Sequence, residues 1–336
     1  MLFLGFSVFF GIHHLFWHRK QYRYKKRGSP IVFKGTIVTL SSILDQLPSQ
    51  DAKRLLHGRG GLVPGFEQIN IEIYPPVLWI MVYQEVDEAP LKSWLKEVID
   101  QHEALSIKHI YIQRRFLRDD PVEVVLGDDS LINKDFKVTE QGLSYWVTLG
   151  KNQNTGLFLD MVHGRSFVRE QAQGKRVLNL FSYTCSLGLS AAAGGAKSVV
   201  NIDMAKAAIK RGQQNFALND LVGEYGFIAQ DIFKMIKKLS QKGPYDLIIA
   251  DPPSFQTKAF DVRRDYEKLL AKLTPSFAPG AVLMLCLNSP ALGESFLHDL
   301  VASVLPDAVF IKRLVNPPVL ADTDENAALK VMLYQL

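Results

Sequence analysis

The sequence predicts an α/β protein: a Rossmann-like sheet of seven strands, preceded by a smaller N-terminal α+β domain. Three observations carry that expectation. From Lys175 onward, seven short apolar runs recur at 175–181, 197–203, 225–231, 245–251, 281–288, 309–314 and 328–335, and helical stretches separate the first five. Three of these runs end on a carboxylate, Asp203, Asp231 and Asp251. Acids therefore gather at the carboxyl strand ends, where open α/β sheets bind their ligands. The last two runs are joined by a segment too polar for a crossover helix, which predicts an antiparallel hairpin at one end of the sheet.

In chain order, residues 1–29 form an N-terminal arm of two parts. The first seventeen residues, MLFLGFSVFFGIHHLFW, are nearly all apolar; residues 18–27, HRKQYRYKKR, hold six Lys/Arg and no acid. Apart from that run the chain balances at 33 basic against 34 acidic residues, so the net charge of +5 is one local patch. With Tyr22 and Tyr24 interleaved, such a patch attracts a nucleic-acid backbone or an anionic membrane surface. Positive charge that follows an apolar stretch is the wrong order for a signal peptide. As a membrane span, residues 1–17 stand at the lower length limit, and the flanking charge would hold the remainder on the cytoplasmic face. The alternatives are an arm packed on the body and an upstream extension; the chain is expected in the cytoplasm. Cys185 and Cys286 give neither a disulfide framework nor metal-ligand spacing, so a reducing compartment and no metal are expected.

Residues 30–150 read as the small α+β domain. A helix broken or started near Pro48 is expected within Ser41 to His57, then a glycine-rich loop at 57–65 and strands at 69–74 and 77–84. Pro90 opens an amphipathic helix through His102, with Leu91, Trp94, Leu95 and Val98 on one face. Short strands follow at 109–113, 122–126, 134–139 and 143–149, the last pair turning at Gln141-Gly142. Arg54, His57, Arg59, Arg114, Arg115 and Arg118 form a candidate phosphate-binding group; singly, each is equally at home on a solvated face.

Residues 151–336 form the second expected domain, and its centre is RVLNLFSYTCSLGLSAAAGGAKSVVNID, residues 176–203. Strand, tight turn, small-residue helix, strand and terminal acid make half of a nucleotide-binding unit, with Asp203 placed to accept from ribose hydroxyls. The turn Phe181-Ser182-Tyr183-Thr184-Cys185-Ser186 lacks the closely spaced glycines that let amides approach a pyrophosphate. An adenosine without phosphates fits better, and S-adenosylmethionine is such a ligand.

The second centre is YDLIIADPPSF, residues 245–255. Pro252 and Pro253 fix the backbone and remove two amide donors, which leaves carbonyls to accept. Asp251 can receive a hydrogen bond, and Phe255 offers a face for a flat base. Methyl transfer from a sulfonium needs positioning more than acid–base help. Methylating a pyrimidine ring carbon, by contrast, requires a cysteine to add to the ring first. Cys185 lies in the turn and Cys286 inside the fifth strand, while Asn288 stands at that strand's end. A ring nitrogen is therefore the expected target, with Asn288 positioning the base.

TGLFLD (155–160), NLFSYT, GGA, VVNIDM, DPPSF and FDVRRDY (260–266) together resemble the bacterial 23S ribosomal RNA large-subunit methyltransferases. The likeness spans roughly residues 50–336 and is closest to the guanine-N7 half of the bifunctional ribosomal RNA enzyme, with the cytosine-C5 enzymes more distant. Seven strands with an antiparallel end is also the arrangement of the Rossmann-like methyltransferases. The resemblance implies a class I S-adenosylmethionine-dependent methyltransferase acting on RNA, 23S ribosomal RNA or its large-subunit precursor. It implies that Asn179, Phe181, Ser182, Tyr183 and Thr184 wrap the methionine part. Asp203, with Met204 beside it, would bind the ribose and Asp231, with Ile232 beside it, the adenine. Phe158 and Asp160 would close over the cofactor, and Asp251, Pro252, Pro253, Phe255 and Asn288 would face the base. Cys185 departs from the glycine of the N7 enzyme, and Asn288 stands where the C5 enzymes carry their cysteine.

Other readings are a cytosine-C5 methyltransferase, a protein that binds cofactor and RNA without turnover, and a membrane-tethered methyltransferase of small molecules. A nicotinamide oxidoreductase is disfavoured by the missing glycine fingerprint.

Overall fold

The computed structural model describes residues 43–119, 121–151, 154–256 and 260–336. The arm expected at 1–29, the membrane contact considered for 1–17 and the start of the helix expected from Ser41 lie outside the described residues. Among the described residues no helix is long and apolar enough to cross a membrane.

Five strands make the first sheet, in the spatial order of the chain: β1 (Lys53–His57), β2 (Ile69–Tyr74), β3 (Val77–Val82), β4 (His109–Arg114) and β5 (Val122–Leu126). β3 and β4 run parallel and are joined by helix α1 (Ala89–Asp100); the other neighbours are antiparallel. Pro90 sits in the first turn of α1, where its missing N–H costs no hydrogen bond. Leu91, Trp94, Leu95 and Val98 share a core with Leu78, Ile80 and Val82, and the alternate residues Val77, Trp79 and Met81 enter a different one. Covered on both faces, β3 is apolar at every position rather than alternating.

The helix expected across 41–57 does not extend to His57. Residues 53–57 are β1, an edge strand whose amides find partners on β2. A register shift between Arg54 and Leu56 lets the consecutive Leu55 and Leu56 both be buried. The tertiary hydrogen-bond ladder overrides the local helix preference of this stretch.

A hairpin follows, β6 (Asp135–Glu140) with β7 (Leu143–Thr148). Its turn residues Gln141 and Gly142 have φ of 52° and 78°, the left-handed pair that a two-residue hairpin turn requires. Val138, Tyr145 and Val147 share the core of Trp79, which continues onto one face of the large sheet through Val177, Leu247 and Met284.

That sheet comprises β8 (Arg176–Leu180), β9 (Ser198–Asp203), β10 (Glu224–Ala229), β11 (Tyr245–Ala250), β14 (Phe277–Leu287), β15 (Val309–Arg313) and β16 (Lys330–Gln335). Between β11 and β14 a short hairpin, β12 (Phe255–Gln256) with β13 (Phe260–Asp261), interrupts the chain. The spatial order is β10-β9-β8-β11-β14-β16-β15. The first five strands are parallel, and β16 and β15 form the expected antiparallel end. The helices are α2 (Val162–Gln171), α3 (Ser186–Ala193), α4 (Lys206–Ala217), α5 (Ile232–Lys242), α6 (Val262–Leu273) and α7 (Ser295–Val304). Alternation along β11 sends Leu247 and Ile249 to one core, Ile248 and Ala250 to the other. The order runs outward in both directions from β8 and β11, so the switch point lies at their carboxyl ends.

Candidate active site

A cavity of about 410 Å³ opens at that switch point, within the range of small-molecule sites. Its wall is drawn from the turn after β8, the ends of β9, β10, β11 and β14, and the 154–161 segment.

The turn after β8 is shaped by three non-glycine residues in the left-handed region: Phe181, Tyr183 and Cys185 have φ of 54°, 45° and 63°. Each costs conformational energy, about 1–2 kcal/mol, and is held by specific bonds. Ser182 N donates to Ile202 O (3.0 Å), Tyr183 N to Asp203 Oδ2 (2.9 Å), Cys185 N to Ser182 O (2.7 Å) and Thr184 Oγ1 to Gly156 O (2.6 Å). Such a turn leads the chain directly into α3, which presses close to the sheet. A Cβ on Gly188 would lie 1.9 Å from Asn201 Oδ1, so only glycine admits the approach.

Asp203 accepts from Tyr183 N through Oδ2 and from Ala205 N through Oδ1 (2.8 Å), and its remaining lone pairs face the cavity it lines. Asp231 caps α5: its Oδ1 accepts from Phe233 N (2.8 Å) and Lys234 N. Two carboxylates at successive strand ends, with no amide cradle for phosphates, suit a ribose and an adenine amino group. The donor set fits S-adenosylmethionine, which when bound supplies a methyl group on a sulfonium centre.

Phe158, Asp160, Phe181, Ser182, Tyr183, Asp203, Met204, Asp231, Ile232, Asp251, Pro252, Pro253 and Asn288 all line this one cavity. Phe158 stacks at a tilt on Tyr183, with ring centroids 5.2 Å apart. Asn179 and Thr184 do not line the wall. Asn179 is fully buried, donating to Asn201 Oδ1 (2.9 Å) beneath the turn, and buried Thr184 tethers the turn to Gly156. Both shape the site from behind because their side chains alternate away from it. The backbone of Phe255 pairs with Asp261 in β12; its side chain lies outside the described residues.

The other side of the cavity is built at the ends of β11 and β14. Tyr266 Oη lies 3.0 Å from Ala250 O and 3.3 Å from Cys286 O, tying the two strand ends together. Ser254 Oγ donates to Asn288 O (2.5 Å), and Lys330 Nζ donates to Ser289 O (3.0 Å), fixing the loop that presents Asn288. Asp251 has no hydrogen-bond donor among the described residues. Burial, and then the carboxylate of Asp160, push its pKa up to about 7. Burial likewise raises Asp160, opposed by Arg54 and Arg165. Cys286 is fully buried in β14 and its thiol is pushed well above the ordinary range. It packs within the core that also holds Leu247 and Met284.

Four residues that hold this geometry escape the sequence reading: Glu72, Tyr74, Glu140 and Arg165. Arg165 is buried against Glu140, with Nε–Oε2 at 2.5 Å and Nη2–Oε1 at 2.6 Å, and its Nη1 donates to Phe158 O (2.9 Å). Arg54 pairs with Glu72 through two nitrogens. Tyr74 Oη, bonded to Glu72 Oε2 (2.9 Å), then reaches Thr155 Oγ1 (3.0 Å). The Arg54–Glu72, Arg165–Glu140 and Tyr74–Thr155 pairs lie 18, 25 and 81 residues apart, so no local pattern announces them. The signal in the sequence was Glu72 inside the otherwise largely apolar strand β2.

A seven-stranded sheet with an antiparallel end, acids at the ends of β9 and β10 and a diproline at the end of β11 defines the class: an α/β enzyme that uses S-adenosylmethionine for methyl transfer. The comparisons agree. The profile of a family described as S-adenosylmethionine-dependent methyltransferase matches residues 53–335. The chain belongs to this family. A "Ribosomal RNA large subunit methyltransferase K/L" from a Psychrobacter species is 40% identical over 154 residues, 44% of this chain and 19% of that protein. The chain thus spans about a fifth of the length of the curated relatives it matches. A Streptococcus mutans protein assigned as a SAM-dependent methyltransferase superposes with a TM-score of 0.73 at 24% identity, covering 88% of this chain and 81% of its own. Another solved structure, assigned as a methyltransferase and complexed with SAH, also gives 0.73, at 22% identity, covering 91% and 83%. These two likenesses establish the fold.

Proposed function

We propose that this chain methylates a base of RNA, and specifically a ring nitrogen of a guanine in 23S ribosomal RNA or its large-subunit precursor. The relatives matched over 154 and 158 residues are named for ribosomal RNA, which supports the substrate class. One observation carries the choice of atom. The end of β14 presents Asn288 at the cavity, and the thiol two residues before it, Cys286, is buried in the strand with its pKa pushed well above the ordinary range. Carbon methylation of a pyrimidine would need that thiol as an attacking group. A purine nitrogen needs none: its lone pair forms the new bond to carbon as the sulfur–carbon bond breaks.

In this reading the side chains act by placement. Asp203 and Asp231 hold the nucleoside end of the cofactor, Asn288 and the Pro252–Pro253 carbonyls orient the flat base, and ionised Asp251 faces the positive charge that the base acquires. A duplex-stacked base cannot reach the cavity, so the target is single-stranded or flipped out. Residues 30–150 are the RNA-facing domain, and 151–336 the catalytic domain.

The test is incubation of the full chain with S-adenosylmethionine and unmodified 23S ribosomal RNA, followed by nucleoside mass spectrometry. The expected product is 7-methylguanosine, formed at near-parental rate by Cys286→Ser. A product of 5-methylcytidine, abolished by Cys286→Ser, would overturn the assignment.

A further inference from the structure

A second cavity, of about 480 Å³, opens between the turn after β1 and the connection from β15 to β16, residues 314–329. Asp160, Asn288 and Leu329 line both this cavity and the one at the switch point, so the two meet at the side chain that orients the base.

The wall of the second cavity is formed in advance. Thr323 N donates to Gly60 O (2.9 Å), and a Cβ on Gly60 would lie 2.3 Å from Ala321 O, so glycine alone lets the two backbones approach. At the far end of the connection, Lys330 Nζ donates to Ser289 O and to Ala328 O (both 3.0 Å), which ties it to the loop that presents Asn288. A site held open in this way loses little freedom when it is filled.

The charges on the wall decide what can fill it. Arg54, His57 and Arg59, from the candidate phosphate-binding group, all line this cavity. Arg54 is paired with Glu72, and His57, whose pKa is pushed down to about 4 by burial and then by Arg54, is uncharged at neutral pH. Arg59 is exposed and lies over the ring of Tyr83, 4.5 Å from its centroid. Against these stand the carboxyl groups of Asp160, Asp322 and Asp324. Such a wall repels a phosphate and suits a neutral ring that carries N–H donors.

Two acceptors on that wall are oriented by their neighbours. Asn316 Nδ2 donates to Leu329 O (3.0 Å), which fixes the amide and leaves its Oδ1 to accept. Asp322 Oδ1 accepts from Asp324 N (2.9 Å) and from Thr323 Oγ1 (3.4 Å); its Oδ2 has no donor among the described residues. Of the four bases, guanine meets a pair of acceptors best. Its Watson–Crick edge carries two adjacent donors, N1–H and the exocyclic amino group. Adenine and cytosine turn a bare nitrogen lone pair to the same place, and leaving buried acceptors unpaired is costly.

We infer that the second cavity is the pocket for the Watson–Crick edge of the target guanine, with Asp322 and Asn316 accepting from its two donors. N7, on the other edge of the ring, is then left toward the cavity at the switch point. The inference rests on the guanine reading above.

The test compares two versions of a 23S ribosomal RNA fragment, with guanosine or inosine at the position where the parent's methyl group is mapped. Inosine keeps N7 and N1–H and lacks only the amino group. The full chain should show a kcat/KM about tenfold or more lower on inosine, the worth of one such hydrogen bond. In Asp322→Asn/Asn316→Ala, kcat/KM on guanosine should fall by about 10- to 100-fold and the preference over inosine should shrink to within about twofold. Its S-adenosylmethionine affinity should be unchanged, which also shows that it folds. If the parent methylates no guanine of the RNA, the guanine reading fails and the pocket with it. If the parent methylates guanosine and inosine alike, or the double variant keeps the preference, the pocket assignment alone fails. Should the double variant lose cofactor binding, Asp322→Asn, whose Oδ1 still serves Asp324 N, decides. An unaltered kcat/KM on guanosine overturns the assignment, and a fall of about tenfold or more supports it.

Discussion

Asp251 is the residue whose chemistry is most sensitive to its surroundings. A carboxylate pushed up to about 7 by burial and by Asp160 is protonated in the folded chain where the unfolded chain has already ionised. The sign follows. Folding stability falls as pH rises from about 4 to about 7 and is then level, because ionisation costs the native state more. Asp251→Asn should therefore be more stable than the parent at pH 8, by about 1–3 kcal/mol, and the gap should close below pH 4; chemical denaturation at the two pH values measures it. Under the proposed mechanism, methyl transfer should rise with pH through about 7, and Asp251→Asn should flatten that rise. At the next strand end but one, Asp203→Ala should weaken S-adenosylmethionine binding by about 10- to 100-fold in calorimetry, since hydrogen bonds to a charged group are worth about 1.5–3 kcal/mol. Normal affinity would remove Asp203 from the site.

At the scale of elements, the parallel strands were legible because strands buried on both faces are short apolar runs between turn signals; β8 to β11 fall within a residue or two of the expected bounds. β1 was not legible, because its pairing with β2 and its register shift are tertiary facts. The cavity wall was legible where residues sit at strand ends, as Asp203, Asp231 and Asn288 do. It was not where support comes from across the fold: Glu140 on β6 holds Arg165 on α2, and neither residue type announces the other. Glu140→Ala should cost about 3–5 kcal/mol, by leaving a buried guanidinium unpaired. Replacing both residues, Glu140→Met with Arg165→Met, should recover most of that stability. It should still weaken cofactor binding, because the bond from Arg165 to Phe158 O is lost. Equal recovery of both would show that the pair only stabilises.

Over the whole molecule, two sheets share one core, and the segment from Thr155 to Met161 runs between them. The large sheet supplies most of the wall of the first cavity, and the smaller one supplies Arg54, His57 and Arg59 to the second. This division explains why the carboxylates were readable in sequence while the role of the arginines was not. A strand-end acid is marked by its position along the chain, but whether an arginine is ion-paired, as Arg54 and Arg165 are, depends on neighbours far away in sequence.

The tether from Tyr74 to Thr155 has a kinetic consequence. We propose that the segment bearing Phe158 is the gate for ligand exchange; one of its tethers belongs to β2. Tyr74→Phe removes that tether without touching any group on the cavity wall. Stopped-flow measurement should find faster cofactor departure with little change in arrival, so that residence time is governed from a strand the ligand never meets.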